Sequence, residues 1–258
     1  MSAFVPDPKL DVQVLPSPNY GDRRGITRAD MLILHYTGME DAGAALQRLC
    51  APDSEVSAHY LVFEDGSIVQ CVPESRRAWH AGLAAWANVT DINSHSIGIE
   101  IANPGHDGGY PDFPEPQIDA VIALCQDILA RVPILPQRVL AHSDVSPMRK
   151  QDPGEKFPWA SLFAAGIGFW VEPVAEAAGE TLDVGCRGPL VHELRTNLHR
   201  YGYAIAAGDE YDAMTATVVR AFQRHFLPLK VDGAADGSTR ATLQRLCGQV
   251  QGFGIVTK

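Results

Sequence analysis

Apolar residues recur along this chain with two periods, and each change of period marks an element. Met31–His35 reads M-L-I-L-H, a run in which alternation puts Ile33 and His35 on one face and Leu34 on the other, as in a strand. A helical stretch is predicted around Asp41–Cys50. H-Y-L-V-F, E-D-G and S-I-V-Q-C-V then read as strand, turn and return strand of a hairpin. In Ser96–Ala102, Ile97, Ile99 and Ile101 share one face and are expected to pack on helices. Gly98, Glu100 and Ala102 share the other, so a lone carboxylate stands between two small residues. From Pro116 to Val132 the period lengthens: Ile118, Val121, Ile122, Cys125, Ile128, Leu129 and Val132 follow the i, i+3, i+4, i+7 rule of a helix. Val139–His142 is a further predicted strand, with Leu140 and His142 alike in facing. Strands flanked by helices describe an α/β layered domain.

The period stays helical after about Thr181. Gly188–Tyr201 carries Leu190, Leu194, Leu198 and Tyr201, Thr215–Phe226 carries Val218, Val219, Phe222 and Phe226, and Ser238–Leu246 follows. The strings after Asp212 and Asp236 repeat weakly, each a turn with a Ser or Thr near a helix start. The expected organisation is an α/β domain over residues 1–165, a linker over 166–180 and a small all-α three-helix domain over 181–258. Residues 1–30 are rich in turn signals and expected to run extended.

Composition narrows the class. Of 258 residues, 46% are apolar and 20% charged, which suits a globular chain long enough to bury a core. A net charge of -10 argues against a nucleic-acid partner. No apolar run reaches the roughly 18–20 residues of a membrane span, and the N-terminus lacks a signal-peptide pattern. Five dispersed cysteines (Cys50, Cys71, Cys125, Cys186, Cys247) without C-x-x-C spacing fit free thiols in a reducing compartment. The expected location is therefore the cytoplasm.

The candidate chemistry lies in His35, His142 and Asp152, with Glu100 and Lys150 beside them. Two imidazoles and a carboxylate are a common ligand set for catalytic zinc, which keeps a fourth position for water. Glu100, facing inward from its strand, is the candidate general base, and Lys150 the cation for a developing oxyanion. Arg149 is expected to point the other way. His80 in A-W-H-A-G and Asn103 are candidate substrate contacts. His59 reads as structural, His95 and His106 as surface residues, Trp79 as packing, and Tyr36 as facing away from the metal.

The strings L-I-L-H-Y-T, V-S-A-H-Y-L-V, A-W-H-A-G, N-S-H-S-I-G-I-E-I-A-N and A-H-S-D-V-S-P-M-R-K-Q-D-P-G-E-K-F-P-W resemble the type 2 N-acetylmuramoyl-L-alanine amidases, in order over about residues 10–170. Residues 181–247, with V-G-C-R-G-P-L-V-H-E-L-R-T-N-L and A-F-Q-R-H-F, resemble a three-helix peptidoglycan-binding domain. The resemblance implies a mixed central sheet flanked by helices and one zinc ion per chain on His35, His142 and Asp152. Glu100 would be the acid/base and Lys150 the oxyanion stabiliser. The bond cut would be the amide between N-acetylmuramic acid, or its 1,6-anhydro form, and L-alanine, in a muropeptide or peptidoglycan substrate during wall recycling. A phage-type lysin and a non-catalytic peptidoglycan recognition protein are the alternatives on the same fold.

Overall fold

The computed structural model describes residues 4–175 and 177–252. The ends of the two expected domains, 1–3 and 253–258, lie outside the described residues. Among the described residues eight strands form: β1 (Gln13–Val14), β2 (Tyr20–Asp22), β3 (Met31–Tyr36), β4 (Tyr60–Val62), β5 (Ile68–Gln70), β6 (Arg76–Ala78), β7 (Ser96–Ile101) and β8 (Val139–Ala141). Six of them make a mixed sheet in the order β1-β5-β4-β7-β3-β8, and β2 pairs with β6 in a separate antiparallel ribbon. The predicted hairpin is the antiparallel pair β4–β5, while β4–β7, β7–β3 and β3–β8 are parallel. The lead-in predicted as merely extended contributes β1 and β2, strands too short for alternation to reveal.

The helices are α1 (Ala42–Cys50), α2 (Ile92–His95), α3 (Glu115–Arg131), α4 (His142–Val145), α5 (Trp159–Ala164), α6 (Pro189–Tyr201), α7 (Ala213–Phe226) and α8 (Gly237–Gly252). Local chemistry sets their starts. Asp41 caps α1 by accepting from the Ala44 amide, and Pro116 stands in the first turn of α3, where its missing N–H costs nothing. The weak repeat proves to be two such caps: Asp212 accepts from Thr215 N and Asp236 from Thr239 N.

The two faces of the sheet are covered differently. Leu32, Leu34, Ile97, Ile99 and Ile101 pack against Val121, Leu124 and Ile128 of α3 and Leu162 of α5. On the opposite face Met31, Ile33 and Leu140 join one core with Trp86 and with Val191, Leu198, Val218, Phe222 and Phe226 of the C-terminal helices. The stretch expected as a linker enters both cores, Ile167 the one on the α3 side and Phe169 and Val171 the one with the C-terminal helices. Ile167, Gly168 and Phe169 are buried in succession, a run too short to be distinguished from a spacer in sequence.

Asp144 ties the two parts together. It is fully buried, accepts from Tyr203 Oη at 2.7 Å and from His225 Nδ1 at 2.7 Å, and also accepts from the Ala141 amide at 2.9 Å. Trp159 stacks on the His225 ring at 3.8 Å. A buried carboxylate stripped of one donor loses about 1–3 kcal/mol. Tyr203→Phe is thus expected to lower the unfolding free energy by about that amount in a denaturant titration. A change under about 0.5 kcal/mol, the scatter of ordinary surface substitutions, would show the bond to be idle.

Candidate metal centre and cleft

Parallel pairing builds the site. β7, β3 and β8 run side by side and end at one edge, the place where open α/β sheets bind ligands. Register puts His35 beside Glu100 and Leu34 beside Ala141, so Glu100, His35 and His142 arrive in a row. His142 was expected to end a strand and instead opens α4. The reason is Asp144, whose carboxylate takes the Ala141 amide and turns the chain into a helical first turn. Asp152 returns on the following loop, where its carbonyl accepts from the Ser143 amide at 3.0 Å.

Three buried atoms converge there. His35 Nδ1 lies 2.9 Å from His142 Nδ1 and 3.1 Å from Asp152 Oδ2, and the last two are 2.9 Å apart. These three form the group found among the described residues that could hold a metal ion. An ion with bonds of about 2.0–2.2 Å spaces its ligand atoms about 3.3–3.5 Å on a tetrahedron, so the three stand within a few tenths of an ångström of that geometry. His142 donates its other nitrogen, Nε2, to the Ala81 carbonyl at 3.1 Å, leaving Nδ1 as a lone pair aimed at the cluster. Burial first, then the neighbouring His142, pushes the His35 pKa down to about 4, so its ring is neutral at pH 7. Burial acts to raise the Asp152 pKa, but the two imidazoles against its Oδ2, His142 foremost, outweigh it and keep the carboxyl below its ordinary range.

Glu100 has the opposite character. Its Oε2 is buried without a hydrogen-bond partner. Burial, then the charge of Asp152, pushes its carboxyl well above the ordinary range, with Lys150 pulling the other way. A cleft of about 470 Å³ opens over the edge, and Tyr36, Arg48, Trp79, Glu100 and Lys150 are among the residues lining it. Arg149 turns away as expected, its guanidinium donating to the carbonyls of Ala81 and Leu83.

Other expectations change. Asn103 is buried and outside the cleft lining; its Nδ2 donates to Pro111 O and its Oδ1 accepts from Gly105 N. It holds its own loop, because the chain leaves the sheet at Ala102 and alternation no longer governs facing. His80 lines the cleft, yet both ring nitrogens meet protein atoms: Nδ1 is 2.9 Å from His35 Nε2 and Nε2 is 3.1 Å from Ser96 Oγ. A substrate would find no free nitrogen on it. His59 is structural as expected, accepting from Gly98 N and bonding to Arg76 O. Tyr36, expected to face away, lines the cleft at the end of β3 with its hydroxyl on His106 Nδ1 at 2.9 Å. His106 also meets Glu155, so it is no free surface residue, and His95 pairs with Asp30. Period-two alternation places Ser96 on the face of Gly98 and Glu100, the one signal in sequence that points to it.

Fold and cleft together define a mixed α/β sheet protein with three buried donors able to hold a metal ion at the sheet edge. Family comparison then narrows the class. The model of the N-acetylmuramoyl-L-alanine amidase family matches residues 26–155, and that of a peptidoglycan binding domain matches residues 187–243. The chain belongs to the N-acetylmuramoyl-L-alanine amidase family. It is 38% identical over 235 residues to N-acetylmuramoyl-L-alanine amidase AmiD of Escherichia coli, covering 85% of this chain and 82% of that one. The solved complex of E. coli AmiD with the substrate anhydro-N-acetylmuramic acid-L-Ala-D-gamma-Glu-L-Lys superposes with a TM-score of 0.73. Its identity is 36%, over 90% of this chain and 98% of that one. AmpDh3 from Pseudomonas aeruginosa, in complex with anhydromuramic pentapeptide, gives 0.71 at 33% identity over 92% and 96%. No helix of the described residues is long and apolar enough to cross a membrane.

Proposed function

We propose that this chain is a zinc-dependent hydrolase of the amide between N-acetylmuramic acid, in its 1,6-anhydro form, and the L-alanine of a stem peptide, serving peptidoglycan recycling. The observation that carries this reading is the unpartnered Glu100 Oε2 on the same edge as the His35, His142 and Asp152 cluster. Zinc held by those three residues supplies an acidified water and a Lewis acid for the carbonyl. Glu100 takes the water's proton and delivers it to the leaving nitrogen, which its raised basicity suits. Lys150, on the cleft wall and without a salt bridge among the described residues, stabilises the charge developing on the carbonyl oxygen. Residues 181–258 are read as the wall-fragment-binding unit, supported by the match over 187–243. The five free cysteines support a reducing compartment, the cytoplasm, as the place of action.

The test is mass spectrometry of products from an anhydro-muropeptide bearing L-Ala-D-γ-Glu-L-Lys, set against intact sacculi, each with and without a chelator. Expected products are the anhydro sugar acid and the free peptide, formed faster than from sacculi and lost with the chelator. A marked preference for sacculi would favour the lysin reading. Chelator-resistant cleavage would remove the metal.

A further inference from the structure

The hydrogen bonds behind His35 form a line whose protons can be placed one by one. Ser96 Oγ is 2.7 Å from the Ile92 carbonyl, which only accepts, so the single hydroxyl proton goes there. Ser96 Oγ must then accept at its contact with His80 Nε2, so the His80 proton sits on Nε2. His80 Nδ1 is left as an acceptor, and the atom facing it at 2.9 Å, His35 Nε2, carries the proton of the second ring. His35 Nδ1 is consequently a bare lone pair, and it is the atom aimed at His142 and Asp152.

We infer that Ser96 and His80 act as a positioning relay that fixes the tautomer and ring angle of His35 for metal binding. The inference rests on the reading of His35, His142 and Asp152 as metal ligands. Two further features are built for it. The Asn93 side-chain oxygen accepts from the amides of both His80 and Ala81, anchoring the loop that delivers the ring. Gly98 clears the space: a Cβ there would stand 2.5 Å from His80 Cγ and 2.6 Å from its Nδ1. This explains why the β7 face carrying Glu100 has a glycine two positions earlier, where a strand would otherwise favour a larger residue.

Removal of an outer partner of a ligating histidine costs metal affinity about 10–100-fold. Gly98→Ala touches no ligand, yet it displaces the His80 ring, so it is expected to weaken zinc binding within that range. The readout is competition against a fluorescent chelator on the full chain. His80→Leu should match it, and His80→Gln, whose amide both accepts and donates, should recover part of the loss. In the His80→Leu background Gly98→Ala should add little, because the two act through one contact. Variants that stay folded and bind zinc within twofold of the parent would overturn the relay while leaving the metal reading intact. Failure of the parent to bind zinc would overturn both. Tautomers are checked without any substitution by long-range proton–nitrogen correlation on the histidine-labelled chain. Protons on Nε2 of both His35 and His80 are expected, and a proton on His35 Nδ1 would defeat the inference.

Discussion

Glu100→Gln is expected to lower kcat for muropeptide cleavage by about 10²–10⁴-fold, the contribution of a positioned acid–base group. Zinc content should not change, since Glu100 is outside the three-donor cluster. The same substitution should stabilise the metal-free protein. A folded carboxyl raised by burial holds its proton more tightly than the unfolded chain does. The folded state therefore binds more protons at intermediate pH, and its stability falls as pH rises from the ordinary carboxylate range up through the raised folded value. Glutamine has no charge to bury and removes that slope. Denaturant unfolding of the metal-free parent and variant at pH 5 and pH 8 measures it: the parent should lose stability between the two pH values and the variant should lose less. Identical pH dependence in the two proteins would place the buried charge elsewhere.

Asp152→Ala should abolish metal binding and hydrolysis together. Asp152 is the one anion of the cluster and contacts both imidazoles, so its loss removes a ligand and the charge that balances the ion. The fall in zinc affinity should exceed the ~10–100-fold typical of outer-shell partners. Because the His35 pKa lies at about 4, protons do not compete for its ring at neutral pH, and the loss should persist from pH 6 to pH 8. In the parent, chelation should remove activity and added zinc restore it; in the variant, stoichiometric zinc should restore nothing. Retention of full zinc content by Asp152→Ala, measured by elemental analysis, would remove Asp152 from the ligand set.

The strand M-L-I-L-H, the hairpin, S-I-G-I-E-I and the helix over 115–131 were legible because each buries one face, and burial writes a period into sequence. Glu100 stood out for the same reason, as a carboxylate on a face otherwise small. The roles of Asn103 and His80 were not legible. Their hydrogen-bond partners, Pro111 and Gly105 for one, His35 and Ser96 for the other, lie in loops or across the sheet, and no local rule ranks such partners above a ligand. The stretch over 166–180 looked like a spacer because only the packed core shows that Phe169 and Val171 are buried.

By itself the sequence determined the elements, their facing and the inventory of donors, since these follow from periodicity and side-chain chemistry within about a dozen neighbours. Tertiary structure alone decided which donors meet. Parallel register sets His35 beside Glu100, Asp144 bends the chain so that His142 opens a helical turn, and a loop and a helix more than 50 residues further on brace that turn through Tyr203 and His225. Such contacts join segments whose separation carries no local energetic signature, so they exist only once the sheet has formed.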